Sequence, residues 1–232
     1  MEKIPSIAFE GINRAGKGTQ IELLKKELFE MNVSSIELRG DGTRDGSGSH
    51  DGDPLSPWWQ QYSKKLREGG STEEWHQAAY QLALDFISWK KSAEELEKDI
   101  IFLDRSLLSR ATFVIDRDRP APEILEIEHL YPIQRTGKIK MEDVLPDVIF
   151  ELTVPKEVLL SRLDPADPKL KFRENLIESN YDNFYNAKNR LPEMVQERIV
   201  SIDSSQPIDK VFDEILEDLN SKLDLFKKDK QP

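Results

Sequence analysis

The sequence predicts an α/β protein in which helices sandwich a parallel β-sheet. Short, almost uniformly apolar runs recur along the 232 residues and alternate with stretches whose apolar residues have helical spacing. Uniformly apolar strands are typical of sheets covered on both faces, as parallel sheets are. With 38% hydrophobic and 33% charged residues, and no run near the roughly 20 apolar residues of a membrane span, we expect one globular domain over 1–232.

The predicted elements alternate along the chain. Strands are expected at 6–10, 33–38, 99–105, 147–154 and 198–203. Helices are expected from Thr19 to about Asn32, from Thr72 through Leu96, from about Leu107 onward and at 155–163. Two more are expected, one that follows the basic segment after 163 and ends at Asn189, and one at 207–223. The stripe Val211, Ile215 and Leu219 marks the buried face of the last helix. Residues 117–145 show no assignable pattern.

Two segments rich in turn-forming or charged residues are predicted to be functional. Residues 40–57 form a Gly- and Asp-rich loop, and about 164–175 form a basic, flexible lid. Ligands bind at the carboxyl ends of parallel strands. Gly11–Gly18, Arg39–Thr43, Asp104–Arg105 and the end of the 147–154 strand should therefore surround one crevice.

Composition excludes several function classes. The absence of cysteine excludes disulfides, thiolate zinc sites and a cysteine nucleophile, and with no secretory signal at the start it favours the cytoplasm. The three histidines are far apart in sequence and lack metal-binding spacing. A net charge of −11 argues against binding to a nucleic acid polymer or an anionic membrane. Any phosphate must be bound by a local basic cluster.

The segment from Gly11 to Lys17 has the spacing G-x-x-x-x-G-K between a predicted strand and a predicted helix. Glycines let backbone N–H groups turn toward a polyphosphate, and lysine supplies a mobile cation. An ordinary Gly-rich turn is the alternative, but the flanking elements favour a P-loop NTPase-type fold that binds ATP. The expected ATP contacts are Gly11, Asn13, Arg14, Ala15, Gly16, Lys17, Gly18 and Thr19.

Two residues of this loop bear on catalysis. Arg14 could neutralise charge on the transferred phosphoryl group, although loops also expose arginine to solvent without function. Gly18 stands where a hydroxyl usually contacts Mg²⁺, and Thr19 is rotated from that position by about 100°. Metal placement would then depend on phosphates, waters and Asp104.

Several motifs resemble those of thymidylate kinases. "FEGINRAGKGTQ" resembles their phosphate loop, and its "GKGTQ" ending also resembles that of adenylate kinases, which are active without the hydroxyl. "LDRSLLSRA" is similar to the family's D-R-Y segment, with Ser106 in place of tyrosine. "PDVIFELTVPKEVLLSRL" and "RGDGT" match family segments in position, although the proline loop expected after the second strand is missing. The resemblance implies ATP, Mg²⁺, a nucleotide acceptor and a homodimer.

The resemblance also implies residue roles. Lys17, Arg14, Asp104 and Arg105 would be catalytic; Asp104 would orient Mg²⁺ through water or position the acceptor. Arg105 and Arg39 would bind the acceptor's phosphate, a task that suits bidentate guanidinium groups, and Arg44 and Arg110 are weaker candidates. In the lid, Arg173 of "FRE" would contact ATP, and Lys169 and Lys171 could close with it. For each, a solvated surface charge is the alternative.

The chain departs from the family at the acceptor site. Asn13 replaces an acid near the acceptor sugar, and an amide carries no negative charge. Leu82 and Phe86 stand where the family presents an aromatic residue and an arginine to the thymine base. Both also lie on the apolar stripe of the long helix, where a core role is favoured. The identity of the acceptor base is therefore open.

Two other interpretations remain. "DRSLLSRATF" resembles a deoxynucleoside kinase segment, in which case Glu10 would be the base and Trp75, Gln77 and Gln81 would read the nucleoside. The phosphate loop is less similar to that family, so a monophosphate acceptor ranks first. The third interpretation is a nucleotide-binding protein that no longer transfers phosphate.

Overall fold

The computed structural model of the chain describes residues 4–39, 93–106, 145–191 and 193–223. The described strands are β1 (Ser6–Glu10), β2 (Ser35–Arg39), β3 (Ile100–Asp104), β4 (Val148–Thr153) and β5 (Ile199–Asp203). The described helices are α1 (Lys17–Glu30), α2 (Lys156–Ser161), α3 (Leu170–Ala187), α4 (Glu193–Gln196) and α5 (Ile208–Leu223), with a 3₁₀ turn at Lys188–Arg190. This order confirms the predicted alternation of strands and helices.

The five strands form one parallel sheet in the order β2-β3-β1-β4-β5. Because β1 lies in the middle, the loop that follows it opens at the centre of the carboxyl edge. In the register, Phe9 of β1 is paired with Asp104 of β3, and Asp104 with Arg39 of β2. The sheet therefore brings together three strand ends that the sequence predicted to meet.

One face of the sheet packs against α1 and α5. Phe9, Phe102 and Phe150 of neighbouring strands are fully buried, and the Phe9 and Phe150 ring centroids are 5.4 Å apart. They share a cluster with helix residues at helical spacing: Ile21, Leu24 and Leu28 of α1, and Val211, Ile215 and Leu219 of α5. The predicted stripe of the last helix is thus its buried face. Burial of this cluster fixes α1, and with it the loop at its amino end.

The element ends differ from the predicted ones by a few residues. Helix α1 begins at Lys17, two residues before the predicted start, and ends at Glu30; Met31 caps it and Asn32 follows with a φ of 58°. Asparagine tolerates this left-handed conformation, which commonly ends a helix. Helix α3 begins at Leu170, inside the predicted 164–175 lid, so only 164–169 form irregular turns.

Several predictions concern residues outside the described ranges. These are the loop at 40–57, most of the helix from Thr72, the helix from about Leu107, and nearly all of segment 117–145. Among the described residues, no helix has the length and hydrophobicity needed to cross a membrane.

Candidate active site

The loop from Gly11 to Gly16 joins β1 to α1 and lies against the end of β4. Gly11 has a φ of 144°, and a Cβ built there would lie 2.9 Å from the Leu152 carbonyl oxygen and 3.0 Å from the Ala15 Cβ. Gly16 has a φ of 99° and precedes the first residue of α1. Both positions therefore require glycine, and the motif spacing follows from this backbone path.

We expect Gly11→Ala to distort this loop. The added methyl group would collide with backbone in a conformation that alanine rarely adopts, so the free energy of unfolding should fall by about 1–3 kcal/mol and ATP binding should weaken. Urea denaturation and titration with ATP measure the two effects. Gly18→Ala is the matched stability control: Gly18 is helical, and alanine there should raise stability by up to about 1 kcal/mol. Equal stability of the two variants would contradict the prediction.

The amino end of α1 is suited to an anion. No side chain caps this end, and the first turn contains no acidic residue. The first N–H groups of a helix have no partners within the helix, and the helix dipole places partial positive charge there. A polyphosphate could accept hydrogen bonds from these groups, as in other helix N-terminal phosphate sites.

Lys17, the first residue of α1, folds back over the loop. Its side chain is buried, and Nζ donates hydrogen bonds to the carbonyl oxygens of Gly11 at 2.8 Å and Ile12 at 3.1 Å. The ammonium group is thus held next to the loop backbone that would surround phosphates. Gly18 and Thr19 follow in the first turn, where Thr19 is exposed.

Asp104 ends β3 beside the loop. Its Oδ1 is buried and has no hydrogen-bond partner in the described part of the chain. A buried carboxylate oxygen without a partner is unfavourable unless a cation, water or donor satisfies it. An oxygen ligand of this kind suits Mg²⁺, directly or through water, so the residue present fits the metal that the sequence predicts.

Arg105 connects β3 to the phosphate loop. Its φ is 78°, an unusual value for a residue with a side chain. The guanidinium group donates from Nη1 to the Gly11 carbonyl at 3.2 Å and from Nη2 to Asn13 Oδ1 at 2.8 Å. The structure therefore gives Asn13 a function that the sequence did not predict, as the acceptor that holds Arg105 against the loop.

Glu10 supports this turn from β1. The side chain is fully buried, and Oε1 accepts hydrogen bonds from the Ser106 backbone N–H and from Ser106 Oγ at 2.7 Å. Both bonds fix the residue that follows Arg105. Glu10 thus contributes to the backbone geometry at the end of β3, whichever acceptor the protein uses.

In the predicted lid, Arg173 lies next to Asp167. Arg173, in the first turn of α3, has Nε 2.6 Å from Oδ2 of Asp167. The pKa of Asp167 is lowered, first by the hydrogen bond from the Lys169 backbone N–H and also by the nearby guanidinium groups of Arg173 and Arg14. Arg14 and Arg173 therefore lie close enough to interact with the same carboxylate.

The remaining predicted acceptor residues are not placed. Arg44, Gln81, Leu82 and Phe86 lie outside the described ranges, as does Arg110. Arg39 ends β2 opposite Asp104, but only its backbone is described. The described site is thus the half of the predicted crevice that the Gly11–Gly16 loop and the ends of β1 and β3 form.

Two residues at the site were not predicted from the sequence. Ser204, after β5, donates from Oγ to the Ala15 carbonyl at 2.6 Å, and Arg162, after α2, donates from Nη1 to the Arg14 carbonyl at 3.0 Å. Ser204 belongs to no motif, and Arg162 lies near the end of the "PDVIFELTVPKEVLLSRL" segment without an assigned role. Both contacts depend on how distant segments meet at the sheet edge. The only sequence signal was the position of Ser204, which stands directly after the predicted strand at 198–203.

The chain is similar over its length to known thymidylate kinases. It is 25% identical over 225 residues to the thymidylate kinase of Fervidobacterium nodosum, covering 94% of this chain and 99% of that protein. It is 24% identical over 229 residues to that of Lactobacillus helveticus, covering 94% and 96%. These similarities support a thymidylate kinase-like P-loop kinase.

The fold of this thymidylate kinase-like chain matches a solved structure. The thymidylate kinase of Candida albicans superimposes with a TM-score of 0.56 at 18% identity, covering 94% of this chain and 92% of that one. No family model matches the chain. Fold and full-length sequence similarity thus agree, and the expected family resemblance is confirmed.

Proposed function

We propose that this protein transfers the γ-phosphoryl group of ATP to a nucleoside monophosphate. The observation that carries the proposal is the phosphate loop of a thymidylate kinase-like chain, with Lys17 and Arg105 both hydrogen-bonded to its Gly11 carbonyl. Similarity to thymidylate kinases over nearly the whole length favours a monophosphate acceptor over a nucleoside, and catalysis over binding alone.

ATP would be bound by the loop and the amino end of α1. Lys17 and the backbone of the loop would contact the phosphates, Thr19 would lie in the first turn beyond them, and Arg173 would contact the nucleotide from the lid. Asp104 would hold Mg²⁺, directly or through water, and the ion would supply positive charge against the phosphates. The uncapped helix end supports these assignments, as does Asp104 Oδ1, which is buried and has no hydrogen-bond partner among the described residues.

The reaction is an in-line displacement without a covalent enzyme intermediate. A phosphate oxygen of the acceptor forms a bond to the γ-phosphorus, the bond from that phosphorus to the bridging oxygen breaks, and ADP leaves with that electron pair. Lys17 and Arg14 would stabilise the charge on the transferred group and on the leaving oxygen. Catalysis comes mainly from positioning and charge neutralisation.

Arg105 would bind the acceptor's phosphate from the end of β3, with Arg39 from the end of β2. A guanidinium group has five N–H donors, so Arg105 can hold the loop and still bind an anion. Asn13 lies beside Arg105 and carries no charge, so it cannot offer the acceptor sugar the carboxylate that the family has at this position. Which base is accepted depends on residues such as Gln81, Leu82 and Phe86.

We also propose a homodimer in the cytoplasm. The family resemblance supports the dimer, and the absence of cysteine supports a reducing compartment. Sedimentation equilibrium of the purified chain tests the oligomeric state.

ADP formation measured against a panel of nucleosides and nucleoside monophosphates tests the proposed function. We expect activity with one or more monophosphates, thymidine monophosphate being the first to examine, and none with nucleosides. Activity on nucleosides alone would overturn the proposal in favour of a nucleoside kinase. No activity with any acceptor, together with ATP binding, would favour the non-catalytic interpretation. Omitting Mg²⁺ should also abolish activity, because the metal neutralises charge on the phosphates.

A further inference from the structure

Ser204 is a buried serine whose hydroxyl group reaches the phosphate loop from the end of β5. Its backbone N–H donates to the Thr153 carbonyl at 2.8 Å, directly after the paired residues Thr153 and Asp203. Its Oγ donates to the Ala15 carbonyl at 2.6 Å, across 189 residues of sequence. The sheet therefore fixes the backbone of Ser204, and the hydroxyl group of Ser204 in turn holds the loop.

This hydrogen bond sets the direction of one peptide unit of the loop. The C=O and N–H groups of a planar trans peptide point in opposite directions, so the Ala15 carbonyl and the Gly16 N–H lie on opposite sides of their unit. Ala15 is fully buried and its carbonyl faces the buried Ser204 hydroxyl, whereas Gly16 is half-buried. The Gly16 N–H therefore points away from Ser204, toward the open side of the loop where the proposed function places the phosphates.

The Ala15–Gly16 unit needs an outside contact to keep this direction. Gly16 has a φ of 99°, and glycine populates positive and negative φ about as readily, so its own backbone does little to resist rotation of the unit. The rotated unit would direct the Ala15 carbonyl oxygen at the phosphates, and like charges repel. Ser204 Oγ also lies 3.2 Å from the position of a Cβ built on Gly16, so it lies close to both residues of the unit.

We propose that Ser204 is a positioning residue for polyphosphate binding, which acts by holding the Gly16 N–H toward the nucleotide. The inference rests on the ATP binding of the proposed function and names a residue outside the G-x-x-x-x-G-K motif on which that binding depends. An N–H donor that is already oriented needs no rearrangement when the anion arrives, and a hydrogen bond to an anion is stronger than one between neutral groups. Loss of the hydroxyl group should therefore weaken binding of nucleotides that carry a polyphosphate.

The first measurement is the Kd for ADP by calorimetry, at a temperature where every variant is folded. ADP is used because it undergoes no turnover with a phosphate acceptor. We expect Ser204→Ala to raise the Kd about 3- to 30-fold, which is part or all of the value of one hydrogen bond to a charged group.

The second measurement follows the Gly16 N–H itself. Ala15–Gly16 is the only Ala-Gly pair in the sequence, so labelling alanine carbonyls with carbon-13 and glycine with nitrogen-15 gives one signal that belongs to this peptide unit. A hydrogen bond to phosphate deshields the amide proton. We expect ADP to move this signal strongly downfield in the wild type and much less in Ser204→Ala.

Ser6→Ala is the matched control. Ser6 is also a buried serine, and its Oγ donates to Asp147 Oδ2 at 2.9 Å, but it begins β1, at the end of that strand opposite the loop. This variant should lower the Tm and leave the Kd for ADP within about 2-fold of wild type, since distant sites are usually independent.

Three results would overturn the inference. One is an equal affinity for ADP in the wild type and Ser204→Ala, and another is the same downfield change of the Gly16 signal in both. The third is an equal loss of affinity in Ser6→Ala, which would assign the effect to general destabilisation. A wild-type protein that binds ADP but phosphorylates no acceptor would overturn the proposed transfer and leave the role of Ser204 to these measurements, whereas one that does not bind ADP would overturn both.

Discussion

Lys17→Ala is expected to lower kcat by about 10³-fold or more, the largest effect on activity of any single substitution proposed for this chain. Lys17 is the cation nearest the loop backbone: its Nζ lies 2.8 Å from the Gly11 carbonyl and 3.1 Å from that of Ile12. Alanine removes both the charge that would stabilise the transferred phosphoryl group and the two bonds that hold the loop. No neighbouring residue of the motif can supply an ammonium group.

ADP formation with excess ATP and acceptor measures the loss. Lys26→Ala is the matched control, because Lys26 lies on the same helix, is exposed and is only 3.9 Å from Glu30 in a weak surface pair. Circular dichroism during heating separates catalysis from folding, since each hydrogen bond that the loop loses from the charged ammonium group contributes about 1.5–3 kcal/mol. A Lys17→Ala protein that is folded and turns over within about tenfold of wild type would refute the role assigned to Lys17.

The sheet and the order of elements along the chain were predictable from the sequence, because a buried strand or helix face shows its burial in its own pattern of apolar residues. Strands covered on both faces must be apolar throughout, and β1, β3 and β4 each are nearly so. Helix α5 was predictable from its stripe, which is the buried face in the structure. Ends were less certain: α1 begins at Lys17 because the loop, with no capping side chain, leads directly into it.

The phosphate loop was predictable for the same reason, since its glycines reflect a local backbone path. Gly11 and Gly16 both have positive φ, and a motif with fixed spacing records that requirement. The roles that depend on distant contacts were not predictable. Asn13 was expected near the acceptor sugar, and nothing in its local pattern indicated that its Oδ1 also accepts a hydrogen bond from Arg105, 92 residues away. Arg162 and Ser204 reach the loop from beyond β4, and no spacing rule connects them to it.

A buried charge cluster on β4 is a further feature that the sequence did not reveal. Glu151 is fully buried, and its Oε2 accepts hydrogen bonds from Lys188 Nζ at 2.9 Å and Ser201 Oγ at 2.6 Å. Its Oε1 has no hydrogen-bond partner among the described residues. Glu10, also fully buried, is the register partner of Glu151 on β1. Two carboxyl groups therefore lie side by side on one face of the sheet, and Lys188 is the cation that compensates Glu151.

Lys188→Met is accordingly expected to lower the free energy of unfolding by about 2–3 kcal/mol, the largest effect on stability expected for a single charge removal here. The change leaves Glu151 buried without a cation, beside a second carboxyl group. Breaking a fully buried pair costs about 3–5 kcal/mol, and the partial exposure of Lys188 reduces that cost. Urea denaturation measures it. Lys171→Ala on α3, which removes an exposed lysine 3.6 Å from Glu174, is the control and should cost less than about 1 kcal/mol.

The reverse substitution separates the cost of a stranded charge from the value of the ion pair. In Glu151→Leu, Lys188 can turn its ammonium group toward water, so this variant should be less destabilised than Lys188→Met. In the double variant no buried charge at this position remains, and stability should return to within about 1 kcal/mol of wild type. Additive losses in the double variant would mean that the two side chains stabilise the fold through separate packing contacts. In that case the Lys188–Glu151 ion pair would add nothing to stability beyond the packing of the two side chains.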